Sequence, residues 1–197
     1  MTSKKPLKKL AKIYSGYAFR QAIEASTDGD RFVIQAKDIN PNQYILNTNG
    51  LIKTDFVIPR SNSSLLNDDI LLVSRGSGNS NFKSTIFKAS DNKVVASATL
   101  IIIRVTSSII LPEYLTIFLN SSEGQNLISG LLSGSYIRVI TLKNLEDFSV
   151  PVPPLDKQQR IISIYQNARR QDEIAERKSQ IRKNIITKIL KETMRSK

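Results

Sequence analysis

The pattern of apolar and polar positions divides the chain into a β-rich part and a helical tail. Between Arg31 and about Val105, short apolar runs such as "RFVIQAKDI", "DILLVSRG" and "VVASATLIIIRV" are separated by clusters of Asn, Gly, Pro and Ser. This pattern is typical of short β-strands joined by turns. Strands at such spacing favour a curved, partly barrel-like sheet over a doubly wound one, so we expect an α+β fold with short helices.

Helical periodicity occurs on either side of that stretch. The apolar residues of "LKKLAKI" recur at helical spacings between lysines, which predicts a short amphipathic turn or helix within residues 4–13. In "LPEYLTIFLN", Pro112 suits a first helical turn, and the apolar residues at 114, 115, 118 and 119 share a face that can pack on the sheet. A second short helix over "QNLISGLL" is weakened by Gly130.

The stretch "SVPVPPLDKQQRI" marks the change from one part of the chain to the other. Proline holds the preceding residue extended and cannot donate to a central ladder, so "PVPP" ends a strand. From Leu155 to Lys197 the chain contains no proline or glycine, and about 40 helical residues reach ~60 Å. Such a helix is too long to pack along a domain of this size. We therefore expect a domain over residues 1–154 and one long, projecting C-terminal α-helix over residues 155–197.

The apolar residues of this tail fall into two stripes joined by a polar segment. The stripe residues are Ile161, Ile164, Tyr165 and Ala168, followed by Ile181, Ile185 and Ile189. This is not a strict heptad coil, so we expect the two ends to pack on a partner while the middle is solvated. Two ordinary helices that form a hairpin on the domain remain an alternative. Gln158 and Gln159, near the start of the tail, fit solvated surface or a role in orienting a partner.

Composition removes many enzyme classes. The chain has no Cys and no His, which excludes disulfides, thiol nucleophiles, imidazole bases and nearly all zinc chemistry. Pro153 and Pro154 lack the Asn or Asp and the aromatic residue of an amino-methyltransferase loop. Asp68 and Asp69 are adjacent, which in a strand sends their side chains to opposite faces and argues against a Mg²⁺ nuclease. We predict no catalytic residue, no metal and no cofactor.

Charge and hydropathy indicate where the protein works and what it binds. No apolar run reaches the ~18 residues of a membrane span, and the N-terminus lacks the apolar core of a secretion signal, so we expect a cytoplasmic protein without a membrane partner. The formal net charge of +12 favours a polyanion such as nucleic acid. Residues 155–197 contribute +7 of it and residues 1–154 contribute +5.

The loop "VSRGSGNSNFK" is the best candidate for contact with DNA bases. Its glycines permit close backbone approach, an arginine can bond guanine in two places, asparagines can address adenine, and hydroxyl and lysine groups suit phosphates. The candidate contacts in this loop are Arg75, Ser77, Asn79, Asn81 and Lys83. An ordinary solvated hairpin explains the same composition.

Further candidates come from three other segments. "SGSYIRV" offers Ser135, Tyr136 and Arg138 for backbone or base contacts; equally, Tyr136 can be a packing residue and Arg138 can pair with Glu146 or Asp147. "SGYAFRQ" offers Tyr17 and Arg20, whereas Phe19 fits the core better. "QAKDIN" offers Lys37, beside residues that equally fit a turn.

Taken in order, these segments resemble the specificity (S) subunit of type I restriction-modification systems. The features that carry the resemblance are "KLAKIYSGYAF", "FVIQAKDI", "LLNDDILLVSRGSGN" and "SGSYIRVITLKNLEDFSVPVPPLDKQQRI". Each is weak alone, but their order and spacing match one target-recognition domain and one conserved helix of that family. A complete subunit of the family has two of each, and no second copy of "GYAF" or "PPL" occurs in this chain.

The resemblance implies a non-catalytic, half-length protein that recognises a half-site in double-stranded DNA. It implies DNA methyltransferase (M) subunits as partners, and a restriction/translocase (R) subunit in systems that cleave DNA. The single domain is explained by a homodimer with antiparallel helices that binds an inverted repeat, or by pairing with another specificity polypeptide. A stand-alone DNA-binding regulator of the same domain type and a basic scaffold protein are the competing functions.

Overall fold

The computed structural model describes residues 3–41, 43–45, 48–55, 64–77, 82–89, 93–132 and 137–195. The chain divides into two compact units, Met1–Gln159 (unit 1) and Arg160–Lys197 (unit 2). Unit 1 holds the sheets and short helices, and unit 2 consists of helix alone.

The regular elements follow one another along the chain as follows. The strands are β1 (Ser3–Pro6), β2 (Ala11–Ser15), β3 (Arg31–Ile34), β4 (Ile52–Thr54), β5 (Ile70–Val73), β6 (Arg75–Ser77), β7 (Ser84–Ile86), β8 (Val94–Ala96), β9 (Leu100–Val105), β10 (Ile137–Val139) and β11 (Ser149–Val152). The helices are α1 (Pro112–Asn120), α2 (Ser122–Ser129), α3 (Leu142–Glu146) and α4 (Leu155–Arg195), with single 3-10 turns at Leu7–Lys9 and Ala36–Asp38.

The core lies around β9 and β5, whose residues are apolar on both faces. The strand order β2-β9-β5-β7 forms an antiparallel sheet, and β4-β3-β8 forms a second sheet in which β3 and β8 run parallel. Leu100–Ile103 of β9 and Ile70–Leu72 of β5 are almost fully buried, as expected for strands covered on both sides. Two further two-stranded sheets pair β1 with β11 and β6 with β10. The α+β prediction is confirmed, although the described strands form these separate sheets and not a closed barrel.

Helix α1 packs on this sheet as the sequence predicted. Pro112 occupies its first turn, and Tyr114, Leu115, Phe118 and Leu119 are buried. At its end, Asn120 accepts a hydrogen bond from Ser84 N and donates one to Ser84 O, both at 2.9 Å. The side chain of Asn120 therefore takes the place of a neighbouring strand beside β7.

The turn that the sequence offered within residues 4–13 is present, and the alternative of a helix there is wrong. β1 pairs with β11, a 3-10 turn follows at Leu7–Lys9, and β2 pairs with β9. Leu7 and Leu10 are fully buried under the turn. The local spacing of the apolar residues is compatible with a helix, but pairing with two distant strands satisfies this segment's backbone groups and buries the same leucines, so tertiary context decides.

Two groups of buried or partly buried charges in unit 1 form ion pairs. Asp69, whose side chain is 1 % exposed, accepts two hydrogen bonds from Arg104 at 2.7 Å, and the guanidinium lies 5.4 Å from the centre of the Tyr14 ring. Lys88 binds both Asp68 and Glu113. The adjacent aspartates thus lie in the turn before β5, where Asp68 has φ 70°, and each serves a separate ion pair.

Gln158 is buried, not solvated as exposed glutamines usually are. Its amide nitrogen donates to Ile109 O and Pro153 O, and its carbonyl oxygen accepts from Leu111 N, each at 2.8 Å. All three partners belong to unit 1. The first turn of α4 is therefore fastened to the segment before α1 and to the "PVPP" exit.

Helix α4 is continuous from Leu155 to Arg195, which excludes the alternative of a helical hairpin. In unit 2 most of its large apolar side chains are exposed, with Ile181, Ile185 and Ile189 each between 51 % and 55 % accessible. No helix in the described part of the chain is long and apolar enough to cross a membrane.

Candidate nucleic-acid interface

Two of the predicted DNA-contact segments are neighbours in the fold. β6, from the "VSRGSGNSNFK" segment, pairs antiparallel with β10, from the "SGSYIRV" segment. In this ribbon Arg138 lies opposite Gly76, and Val139 lies opposite Arg75. The sequence placed these segments about 60 residues apart, and no local pattern indicated that they pair.

The ribbon continues directly from the end of the core strand β5. The backbone of Ser74, between β5 and β6, makes two hydrogen bonds of 2.9 Å. Ser74 N donates to Thr99 O, and Ser74 O accepts from Ile140 N. Val73 N donates to Lys83 O at 2.9 Å, which places the backbone of Lys83 beside the same strand end. Arg75, Lys83 and Arg138 therefore belong to one neighbourhood, next to the turn at residues 97–99.

The other side of that turn forms an open cleft of about 540 Å³. The rings of Tyr17 and Phe19 meet edge to face, with centroids 4.9 Å apart. The cleft is lined by Tyr17, Ala18, Phe19, Gln21, Ala22, Ile23, Gln35, Ala36, Lys37, Ser97, Ala98 and Thr99. Phe19 lies in this cleft and is only partly buried, so its assignment to the core is wrong.

Gly16 allows the segment with Tyr17 to dock on the turn. Gly16 N donates to Leu100 O at 3.0 Å, Tyr17 N donates to Ala96 O at 2.7 Å, and Ala98 N donates to Tyr17 O at 2.8 Å. A Cβ atom at position 16 would lie 2.1 Å from Ser97 O. Only glycine permits this approach, which explains the glycine of "SGYAF".

The candidate cations around the turn have no carboxylate partners among the described residues. Arg20, Lys37, Arg75, Lys83 and Arg138 are all exposed, and none belongs to the ion pairs of that part of the chain. The alternative pairing of Arg138 with Glu146 or Asp147 does not occur among the described ion pairs, and Asp147 instead accepts from Lys8 Nζ at 2.7 Å. That hydrogen bond, followed by the charge of Asp147, raises the pKa of Lys8.

The structure brings together most, not all, of the predicted contacts. Tyr17 and Lys37 line the cleft, and Arg75, Lys83 and Arg138 belong to the ribbon and the strand end beside it, where the backbone of Ser77 lies opposite Ile137. Arg20 is exposed but does not line the cleft. The predictions for Asn79, Asn81, Ser135 and Tyr136 fall outside the described residues.

Sequence reasoning missed four polar residues of the cleft. Gln21, Gln35, Ser97 and Thr99 line it, and the backbone of Thr99 also links it to the ribbon through Ser74. Gln21 and Gln35 lie within the "SGYAFRQ" and "QAKDIN" segments, so proximity to candidate residues was the available signal. For Thr99 there was none, because its position depends on the pairing of β5 with β9.

The predicted interface residues of α4 lie along one continuous helix. Ile161, Ile164, Ala168, Ile181, Ile185 and Ile189 are exposed, and Tyr165 is partly buried. Ile174, Ile186, Leu190 and Met194 add to the exposed apolar surface of the helix. An isolated helix with this much accessible apolar area is typical of an interaction surface.

Comparison with known proteins agrees with this arrangement. The family model of the type I restriction modification DNA specificity domain matches residues 2–183. The chain belongs to that family.

Solved structures support the fold. A chain from a study of assembly and conformational transition of the type I R-M system is 17 % identical, with a TM-score of 0.67 over 95 % of this chain and 43 % of its own. The HsdS subunit from Thermoanaerobacter tengcongensis is 18 % identical, with a TM-score of 0.60 over 91 % of this chain and 40 % of its own.

A third solved structure completes the comparison. The type I restriction-modification S subunit from M. genitalium is 14 % identical, with a TM-score of 0.53 over 83 % of this chain and 38 % of its own. The chain thus spans about two fifths of the length of the solved subunits that it matches. None of the curated proteins matches it.

Proposed function

We propose that the protein is a type I specificity polypeptide whose recognition domain binds a short half-site in double-stranded DNA. The observation that carries this proposal is the pairing of β6 with β10, which joins two separate basic segments into one exposed ribbon. A two-stranded antiparallel ribbon fits the major groove of B-DNA, where base edges present distinct hydrogen-bonding patterns.

The proposed contacts divide by chemistry. Arg75 bonds a guanine edge, and Arg138, on the facing strand, reaches a neighbouring base or phosphate. Lys83 and Ser77 bind phosphates, while Tyr17, Arg20 and Lys37 hold the backbone beside the cleft. The remaining proposed contacts are Asn79, Asn81, Ser135 and Tyr136. The exposed cations support these roles because, within the described chain, no carboxylate must be displaced before DNA binds.

The apolar stripes of α4 are proposed as the assembly surface. Because the chain spans about two fifths of the solved subunits, we propose that two copies, or this chain and another specificity polypeptide, together supply two half-site readers. Exposed isoleucines such as Ile164 and Ile185 would be buried against the second helix and against M subunits. The boundary between recognition domain and docking helix falls at residues 154–155.

In this proposal the protein is not an enzyme. It positions M subunits, and an R subunit where the system includes one, on a chosen DNA sequence in the cytoplasm. The chemistry belongs to those partners.

Enrichment from a pool of randomised duplexes tests DNA recognition. The wild-type chain is expected to enrich a short common motif, and in a dimer two inverted copies of it. A bound pool with the same base composition as the starting pool at every position would contradict the proposal.

Sedimentation of the chain, alone and with M subunits, tests the assembly role. Ile181→Asp with Ile185→Asp is expected to abolish the dimer or the capture of M subunits, because two charges replace apolar groups in the interface. The matched control, Gln180→Asp with Asn184→Asp, adds the same charges to another face of α4. Unchanged assembly of the isoleucine variant would contradict the role of α4 as the assembly surface.

A further inference from the structure

Charge is distributed unevenly along α4. Over residues 155–176 four basic side chains are balanced by four acidic ones, whereas over residues 177–195 seven basic side chains accompany one acidic residue. The basic residues of the second segment are Arg177, Lys178, Arg182, Lys183, Lys188, Lys191 and Arg195, and the acidic one is Glu192. A solubilising helix surface ordinarily mixes both signs, which the first segment does and the second does not.

Part of this charge lies on a face of its own. Residues spaced i, i+3, i+7, i+10, i+11 and i+14 share one side of an α-helix. Starting at position 177, these are Arg177, Gln180, Asn184, Thr187, Lys188 and Lys191, which we call the basic face. All six are exposed, and none is apolar. The large apolar side chains of the same segment lie on the rest of the circumference. Ile185, Ile186, Ile189 and Leu190 occupy the side away from the basic face, while Ile181 and Met194 border it.

The basic face retains its charge. Among the described side chains neither Arg177, Lys188 nor Lys191 pairs with a carboxylate, whereas Arg169 in the first segment pairs with Glu173. The single acidic residue of the second segment, Glu192, can neutralise at most one of the seven cations. Between the cations, Gln180 donates to Asn184 Oδ1 at 3.0 Å and the Thr187 hydroxyl donates to Lys183 O at 2.9 Å. The amide nitrogens of Gln180 and Asn184 still have N–H groups that can donate to a phosphate.

We propose that the basic face of α4 binds the sugar–phosphate backbone of DNA without regard to sequence. This inference rests on the proposed DNA recognition by unit 1 and adds a second contact to it. Lysine, arginine, amide and hydroxyl donors are the groups that contact phosphates in protein–DNA complexes. The face lacks the apolar or aromatic centre that anchors a protein interface, and the apolar stripes on the other side stay available for assembly.

The length of the face sets the size of this contact. From Arg177 to Lys191 the helix rises about 21 Å, which corresponds to about six nucleotides of one strand at 3.4 Å each. Three cations over this length can each neutralise one phosphate.

The test is the salt dependence of binding by the full chain to a duplex of arbitrary sequence and about four helical turns. The variant carries Arg177→Gln, Lys188→Gln and Lys191→Gln. Each phosphate contact contributes about 0.9 to the slope of log K against log salt concentration, so the slope is expected to fall by about two to three. The motif enriched from randomised duplexes is expected to stay the same.

A second triple variant serves as the matched control. Lys178→Gln, Arg182→Gln and Lys183→Gln remove the same charge from the same segment but from outside the basic face, and should leave most of the slope intact. Circular dichroism and sedimentation establish that both variants keep their helix and their assembly.

The outcomes separate this inference from the proposed function. If the two triple variants have equal salt slopes and the wild type still enriches a motif, the proposed phosphate contact of the basic face is overturned. The proposed DNA recognition by unit 1 then stands. Loss of M-subunit capture by the first variant with an unchanged slope also overturns it and assigns the face to a protein. Absence of any DNA binding by the wild type overturns both.

Discussion

Two regions of unit 1 use basic side chains in opposite ways. In β9 and just after β7, Arg104 and Lys88 are partly buried and bound to carboxylates. Around the turn at residues 97–99, Arg75, Lys83 and Arg138 are exposed, and no carboxylate among the described residues binds them. The first region shows charge used to complete a fold. The second leaves charge available for another molecule. The formal net charge alone cannot distinguish these two uses of basic side chains.

The pKa values of the paired cations follow from these contacts. Hydrogen bonds to Asp69 raise the pKa of the Arg104 guanidinium, against the opposing effect of burial. Burial by itself would lower the pKa of Lys88, but hydrogen bonds to Asp68 and Glu113 and their negative charge raise it overall. Both cations stay charged at neutral pH, as their structural role requires.

The largest expected effect is on the stability of the paired region. Arg104→Leu leaves the buried carboxylate of Asp69 without its cation, which should lower the free energy of unfolding by about 3–5 kcal/mol. Urea denaturation measures this loss. Asp69→Asn combined with Arg104→Leu should recover part of it, because no buried charge is then left alone. A loss under about 1 kcal/mol in the single variant would indicate that the Asp69 carboxylate is solvated and not buried.

Gln158→Leu should also destabilise the protein. It removes the hydrogen-bond partners of Leu111 N, Ile109 O and Pro153 O. A buried polar group left unpaired costs about 1–3 kcal/mol, and because Leu111 and Ile109 are not fully buried, water can replace part of their lost hydrogen bonds. Thermal unfolding measures the effect. Gln159→Leu, one position further along α4 and exposed, is the control and should change stability by less than about 0.5 kcal/mol. Equal effects of the two substitutions would contradict the anchoring role.

Arg104 and Gln158 show what sequence analysis could find and what it could not. The strand around Arg104, the helix at Pro112 and the long α4 were predictable because periodicity and proline act locally. The ion pair with Asp69 and the hydrogen bonds of Gln158 to Leu111 and Ile109 were not, because their partners are 35, 47 and 49 residues away along the chain. The choice between turn and helix within residues 4–13 stayed open for the same reason, since distant strands determine the conformation of that segment.

In the exposed region, Arg75→Ala should affect binding and leave stability unchanged. Loss of a two-point bond to guanine costs about 1–3 kcal/mol on the preferred site and relaxes the preference at one position. Binding titrations on the enriched duplex and on single-base variants measure this. The same loss on every sequence would make Arg75 a phosphate contact.

The smallest effect is expected for Lys83→Ala. Removal of one phosphate contact should weaken binding equally on all sequences and reduce the salt slope by about one. Salt titrations compare this variant with Lys8→Ala, whose lysine is paired with Asp147 in another part of unit 1. A change in sequence preference for Lys83→Ala would indicate that Lys83 contacts bases and not phosphates.

The candidate site was predictable in composition but not in arrangement. Glycine, arginine and hydroxyl residues identified the "VSRGSGNSNFK" and "SGSYIRV" segments, because those residue types suit contact with DNA. Their union into one ribbon depends on the pairing of Arg75 with Val139 and of Gly76 with Arg138, which no pattern within either segment encodes. Thr99 and the edge-to-face position of Phe19 likewise arise only when the turn, the cleft and β9 come together.

The most direct test of the account is a lysine footprint, in which acetylation of each lysine is measured by mass spectrometry with and without the enriched duplex. The account predicts that DNA protects Lys83 and Lys37, and that the reactivity of Lys8 stays the same. Protection of Lys8 with no change at Lys37 and Lys83 would contradict it, because DNA would then bind away from the ribbon and the cleft.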